Sequence, residues 1–129
     1  MAFNNTMLKD GSRLAGADLS SSQFLGVKLN SSSKVVAVSG ATDYSYGVLL
    51  NAPTSGQAAE VCIFGLTKAK AGGTVAAADQ VMFDNTGKVV TCVPGTDTTK
   101  YKIGTAVTGG ASGEIITIAF GGSAMGRAA

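Results

Sequence analysis

The residues best able to do chemistry in this chain are few, and their spacing works against them. Histidine is absent from all 129 positions, which removes Ser–His–Asp and Cys–His nucleophilic arrangements and most zinc sites. Ser31 and Lys34 match the Ser-x-x-Lys spacing of a lysine-activated serine. That spacing has meaning at the start of a core helix, and Ser31-Ser-Ser-Lys34 reads instead as a turn entering a strand. Asp79 and Asp84 form the only carboxylate pair worth weighing for glycoside or metal chemistry. They flank one short strand and need not converge, and Asp84 is accounted for as a turn residue. Cys62 and Cys92, the only cysteines, sit inside the apolar segments Val61-Cys62-Ile63 and Val90-Thr91-Cys92-Val93. In a reducing cytoplasm they are expected as two buried free thiols, with a cross-strand disulfide formed after lysis as the alternative.

The glycine-rich loops raise the question of phosphate. A phosphate loop needs Gly-x-x-x-x-Gly-Lys-Ser/Thr between a strand and a helix, so that backbone N–H groups and a lysine converge on the anion. Neither Gly72-Gly73 nor Gly109-Gly-Ala-Ser-Gly113 is followed by that pair or by a helical pattern, so turns explain both. Lys68/Lys70 and Lys100/Lys102 are basic pairs two residues apart, which on a strand share one solvated face. With a net charge of +2 and charges interleaved, the chain lacks the concentrated basic patch of a nucleic-acid binder. Lys70-Ala-Gly-Gly-Thr-Val and Asp79-Gln-Val are similar to the turn of biotinyl and lipoyl carrier domains. The hairpin turn here is Asp84-Asn-Thr-Gly87, however, with Lys88 beyond it and no acidic or Met flanks.

The elements that would position any site read as strands. Hydrophobic residues make up 45% of the chain and charged residues 14%, enough apolar material for one core. Phe24–Leu29 begins the strands. Lys34–Ser39 is almost wholly apolar and is expected to be buried on both faces. Tyr46–Leu50 is stopped by Asn51-Ala-Pro53. Ala58–Ala69 could begin as a helix, but its β-branched and aromatic residues, broken by Gly65, favour a strand with a bulge. Val81–Phe83 and Lys88–Val93 form a hairpin around Asp84–Gly87, and Tyr101–Thr108 pairs with Glu114–Phe120.

Strands recurring between turns describe an all-β domain over residues 23–120, a small β-sandwich or partly open β-barrel with an extended N-terminal arm. Residues 1–22 hold no strand or helix period and read as that arm, with a frayed terminus as the alternative. Residues 121–129 read as a flexible tail. The opening residues lack the apolar core of a signal peptide and no run reaches a membrane span, so a cytoplasmic chain with no membrane partner is expected.

The order of several short patterns resembles the decoration, or cement, proteins of tailed-phage capsids. The patterns are Gly47-Val-x-x-Asn-Ala-Pro53, Gly56-Gln57, Val61-x-x-x-Gly65-x-x-Lys68, Ala71-Gly-Gly73 and Asp79-x-Val-x-x-Asp84-x-x-Gly87. Asp18-Leu-Ser-x-x-Gln23, Tyr101-x-Ile-Gly-x-Ala106 and Ala111-Ser-Gly-Glu-Ile115 fit as well. One departure is Ala78, where the pattern has glycine, which puts the geometry of that turn in question. The resemblance implies a non-enzymatic structural protein with no cofactor. It is expected to bind the outer surface of the expanded capsid and to stabilise contacts between major coat subunits. It also implies a homo-oligomer, with a trimer favoured, made in the host cytoplasm and carried on the virion exterior without touching nucleic acid. The arm is then expected to lie along a coat subunit, anchored by Phe3, Met7, Leu8 and Leu14. The alternative is a cytoplasmic β-domain that binds a small ligand or carries a cofactor on a lysine.

Overall fold

The computed structural model describes residues 7–93, 95–97, 99–121 and 126–127. Among these the chain forms eleven strands and no helix. They are β1 (Met7–Leu14), β2 (Gly26–Leu29), β3 (Val35–Ala37), β4 (Gly47–Leu49), β5 (Ala58–Lys70), β6 (Gln80–Phe83), β7 (Val89–Thr91), β8 (Tyr101–Lys102), β9 (Gly104–Ala106), β10 (Ile115–Phe120) and β11 (Gly126–Arg127). Most are six residues or fewer, because a Gly, Pro or Asx turn follows each apolar run before a helical period can build.

Nine strands form one sheet in the order β3-β2-β4-β5-β10-β9-β6-β7, with β1 joined to β5, and β8 and β11 make a separate ribbon. Every ladder is antiparallel, and the sheet curls into a half-barrel, the partly open form of the two architectures that the patterning allowed. The thirteen-residue β5 organises it. Cys62 lies opposite both Lys9 of β1 and Val48 of β4, and Gly65 lies opposite both Met7 and Phe120 of β10. A residue has two edges, so β4 and β10 share one edge of β5 while β1 holds the other. Two parallel bridges, Ala15 to Val35 and Ala71 to Val89, draw the ends of the sheet round.

The concave side holds the core. Val48, Val81, Phe83, Ile116, Ile118 and Phe120 pack in one cluster, and Val27, Val35, Leu49 and Val61 in a second. The Phe83 and Phe120 rings stack at 6.4 Å. Two glycines permit close strand approach: a Cβ added at Gly47 would lie 2.1 Å from Cys62 O, and one at Gly104 2.0 Å from Ala119 O.

Several details depart from the sequence reading. The Lys34–Ser39 run is not buried on both faces, because β3 ends the sheet: Val35 and Val38 point inward, Val36 is half-buried and Ala37 is exposed. Residues 7–14 show no strand period, yet they form β1, with six of its eight residues exposed. The backbone of β5 supplies that order rather than any apolar face of β1. Ala15 and Leu19, within the stretch assigned to the arm, are buried in the core. Ala78 sits at φ 74°, the left-handed region that favours glycine, which explains the glycine in the family pattern. In the tail, Gly126–Arg127 pairs with Tyr101–Lys102.

Candidate docking face

The convex side of β5 carries the most prominent feature outside the core. From Ala58 to Lys70, Ala59, Val61, Thr67 and Ala69 point inward, so Phe64, Leu66 and Lys68 project outward. Phe64 is 55% exposed and Leu66 39%. Directly opposing residues of an antiparallel pair share a face, which sets the neighbours. Leu8 of β1, 59% exposed, pairs with Phe64; Ala119 of β10 pairs with Leu66, and Thr117 with Lys68. The ring of Phe64 also lies against the bare backbone of Gly121, where an added Cβ would come within 2.9 Å of Cδ2. Leu8, Phe64 and Leu66 thus form a contiguous apolar patch bordered by Lys68 and Lys70. Among the described residues neither lysine takes part in an ion pair.

The anchors named from sequence fare differently. Leu8 lies in the patch, and Met7 is half-buried beside it, opposite Gly65. Leu14 is exposed but pairs with Ala58, six residues along β5 from Phe64 and about 20 Å away at the rise of a strand. Phe3 lies outside the described residues. Phe64 and Leu66, the largest contributors, lie in the Ala58–Ala69 stretch that the sequence reads as a strand, with no face assigned to either. Their parity with Lys68 and Lys70 marked them as outward, since one strand face cannot be both the lysine face and the core face.

A cluster at Asp10 fastens β1 to the body. Asp10 Oδ1 accepts hydrogen bonds from Ser12 N and Ser12 Oγ, Asp10 Oδ2 accepts one from the Tyr46 hydroxyl, and Arg13 Nε lies 3.8 Å away. The Ser12 hydroxyl, followed by Tyr46, holds the Asp10 carboxyl down near 2, and the Asp10 bond in turn raises the Tyr46 phenol. Lys9 and Glu60 add an exposed pair at 3.7 Å, which contributes little by itself.

The groups weighed for catalysis do not converge. Asp79 Oδ2 accepts from Ala76 N and Thr91 Oγ1, while Asp84 Oδ1 caps its own turn through Thr86 and Lys88 N–H groups. Ser31 and Lys34 lie in the turn between β2 and β3, where Asn30 Oδ1 accepts from Lys34 N. Cys62 and Cys92 are free and buried, and desolvation pushes both thiols up, away from the reactive thiolate. Among the described residues no three of His, Cys, Asp and Glu are placed to hold a metal ion. An open cleft of ≈ 380 Å³ lies between Ser20, Gln23, Lys70 and Ile115.

Comparisons with known proteins agree with the fold. A search of curated proteins found no match. The N base of the head fiber gp8.5 of bacteriophage phi29 shares the fold at a TM-score of 0.64 and 15% identity, over 89% of this chain and 94% of that one. The family model described as phage cement protein matches residues 15–121, which span every described strand except β1 and β11. The chain belongs to the phage cement protein family and is a capsid-associated structural protein of the virion.

Proposed function

We propose that this chain is a decoration protein that binds the outer surface of the expanded capsid and stabilises contacts between major coat subunits. The observation that carries this reading is the Leu8–Phe64–Leu66 patch, an exposed aromatic and aliphatic cluster across the paired strands β1 and β5 of a cement-family protein. Aromatic anchors at the centre of a polar rim are the usual energetic core of an interface. The unpaired Lys68 and Lys70 at the border favour a coat surface carrying carboxylates. Many copies, each burying a modest area, resist the outward pressure of packaged DNA by multivalency. On the capsid the chains associate with one another, a trimer being the favoured assembly.

The test is to add the purified chain to expanded capsids that lack it and follow DNA release on heating. Occupied particles should release their DNA at a higher temperature than bare ones. An unchanged release temperature at full occupancy would leave the chain bound without a stabilising role. A failure to bind would remove the decoration reading itself.

A further inference from the structure

Hydrogen bonds that fold residues 7–63 recur in residues 64–120. Ala15 N to Gln57 O, Gly16 N to Val35 O and Gly56 N to Ala15 O are matched by Ala71 N to Glu114 O, Gly72 N to Val89 O and Gly113 N to Ala71 O. Leu19 N to Pro53 O is matched by Val75 N to Gly110 O, and Phe24 N to Leu49 O by Ala78 N to Ala106 O. The left-handed residues coincide too: Phe24 with Ala78, Ser33 with Gly87, Gly56 with Gly113. Loops of unrelated origin do not reproduce backbone bonds and left-handed residues in the same order. The chain is therefore two tandem copies of one unit, and each copy shows where the other departs from what the fold needs.

One departure lies between Leu19 and Phe24. The first copy has Ser20-Ser-Ser-Gln23 there, where the second has only Ala76-Ala77 between Val75 and Ala78. The fold thus requires neither the longer loop nor its polar side chains. The first copy also holds a phenylalanine at φ 65° where the second has an alanine, and a bulky residue in the left-handed region is strained. This loop, with Lys70 and Ile115, walls the open cleft described above. Lys70 N donates to Phe24 O at 3.0 Å, which ties the loop to the end of β5.

That bond also closes one end of a gap in the sheet. Successive residues of a strand turn their N–H and C=O groups to alternate edges. Ala71 N donates to Glu114 O, which sets Gly65, Thr67 and Ala69 toward β10 and leaves Leu66, Lys68 and Lys70 on the edge that β1 holds. β1 reaches only to Met7, opposite Gly65. Between there and Lys70 the open edge is about four residues long, or roughly 13 Å at the rise of a strand. Among the described residues, the backbones of Leu66 and Lys68 have no backbone partner on it; Lys68 O takes the Thr67 hydroxyl. Leu66 and Ile115 are both exposed beside it. Lys68 and Lys70 take part in no ion pair among the described residues. The carboxylates on either side of the cleft, Asp18 and Glu114, accept from Ser20 N and Ala111 N in their own turns.

We propose that this gap takes an extended segment of the coat subunit as an added strand, with an acidic side chain of that segment entering the cleft at Lys70. This rests on the capsid-binding reading above and specifies how the partner is held. Main-chain hydrogen bonds to Leu66 and Lys68 give affinity for any extended chain, and the cleft selects a carboxylate. β1 on one side and the Phe24 loop on the other confine the added strand, so the edge cannot template open-ended association.

Amide exchange resolved to single residues, on the full chain free and bound to expanded capsids, tests this. In the free chain Leu66 and Lys68 should exchange as exposed amides do, while Thr67 and Ala69, paired with β10, are protected. On capsids Leu66 and Lys68 should slow by at least ~10-fold, together with one acidic segment of the coat. Lys70→Glu should weaken capsid binding on the order of 10-fold. Lys34→Glu, at an exposed lysine in the turn before β3, should leave binding unchanged, with thermal unfolding confirming that both variants are folded. Leu66 and Lys68 amides that stay fast on occupied capsids would overturn the added strand while leaving capsid binding intact. Equal binding by a folded Lys70→Glu variant would overturn the acidic partner. Protection already present in the free chain would assign the edge to the chain's own residues or, if it grows with concentration, to a second copy, and either overturns the inference. A chain that does not bind capsids would remove both readings.

Discussion

Gly47 and Gly104 show how single residues hold this fold together. Each lies where a strand crosses β5 or β10 too closely for a Cβ, within about the length of a covalent bond and a half of a carbonyl oxygen. The obstacle is backbone, which cannot swing aside as a side chain can. Gly47→Ala and Gly104→Ala should therefore each destabilise the chain by on the order of 3 kcal/mol or more, read as a loss of midpoint in chemical denaturation. Gly40→Ala, where an added Cβ meets nothing within 4 Å, is the control. Much at this scale was legible beforehand: the Asp84 turn, the buried thiols and the unconverged carboxylates follow from local chemistry. The outward direction of Phe64 and Leu66 was legible only through the parity they share with Lys68 and Lys70, because an apolar residue carries no sign of which side of a strand it occupies.

Among the elements, β1 owes its place to its neighbour. With six of eight residues exposed it lacks an apolar face, and no periodicity in Met7–Leu14 could reveal it; the free edge of β5 orders it. The Asp10–Tyr46 bond then acts as the side-chain fastening. Because the Asp10 carboxyl is held near 2 in the folded chain against an ordinary 3.8, its contribution is complete above about pH 4. It is lost as the pH falls towards 2. Amide exchange over residues 7–14, corrected for intrinsic rates, should be flat from pH 7 to about 4 and rise below that. Loosening already at pH 6 would show that other groups hold the strand. The tandem units were also hidden from the sequence. Ala15-Gly16 and Ala71-Gly72, Lys34-Val-Val36 and Lys88-Val-Val90, and Ser55-Gly56 and Ser112-Gly113 match, but these are common residues at unequal offsets. The backbone hydrogen bonds preserve what the side chains have lost.

At the scale of the whole molecule, the chain is a curled sheet whose concave side is spent on the core and whose convex side exposes Leu8, Phe64 and Leu66. The fold class was legible from alternating apolar runs and turns, and the absence of histidine removed the histidine-dependent nucleophilic arrangements. The proposed docking face was not, since it draws Leu8 from one strand and Phe64 and Leu66 from another, brought together by the pairing of β1 with β5. Co-sedimentation of the wild-type chain and of Phe64→Asp with expanded capsids of the phage tests that face most directly, with thermal unfolding confirming that both are folded. The wild-type chain should pellet with the capsids, and the variant should bind on the order of 100-fold more weakly. Equal binding by a folded variant would contradict docking through the convex face of β5.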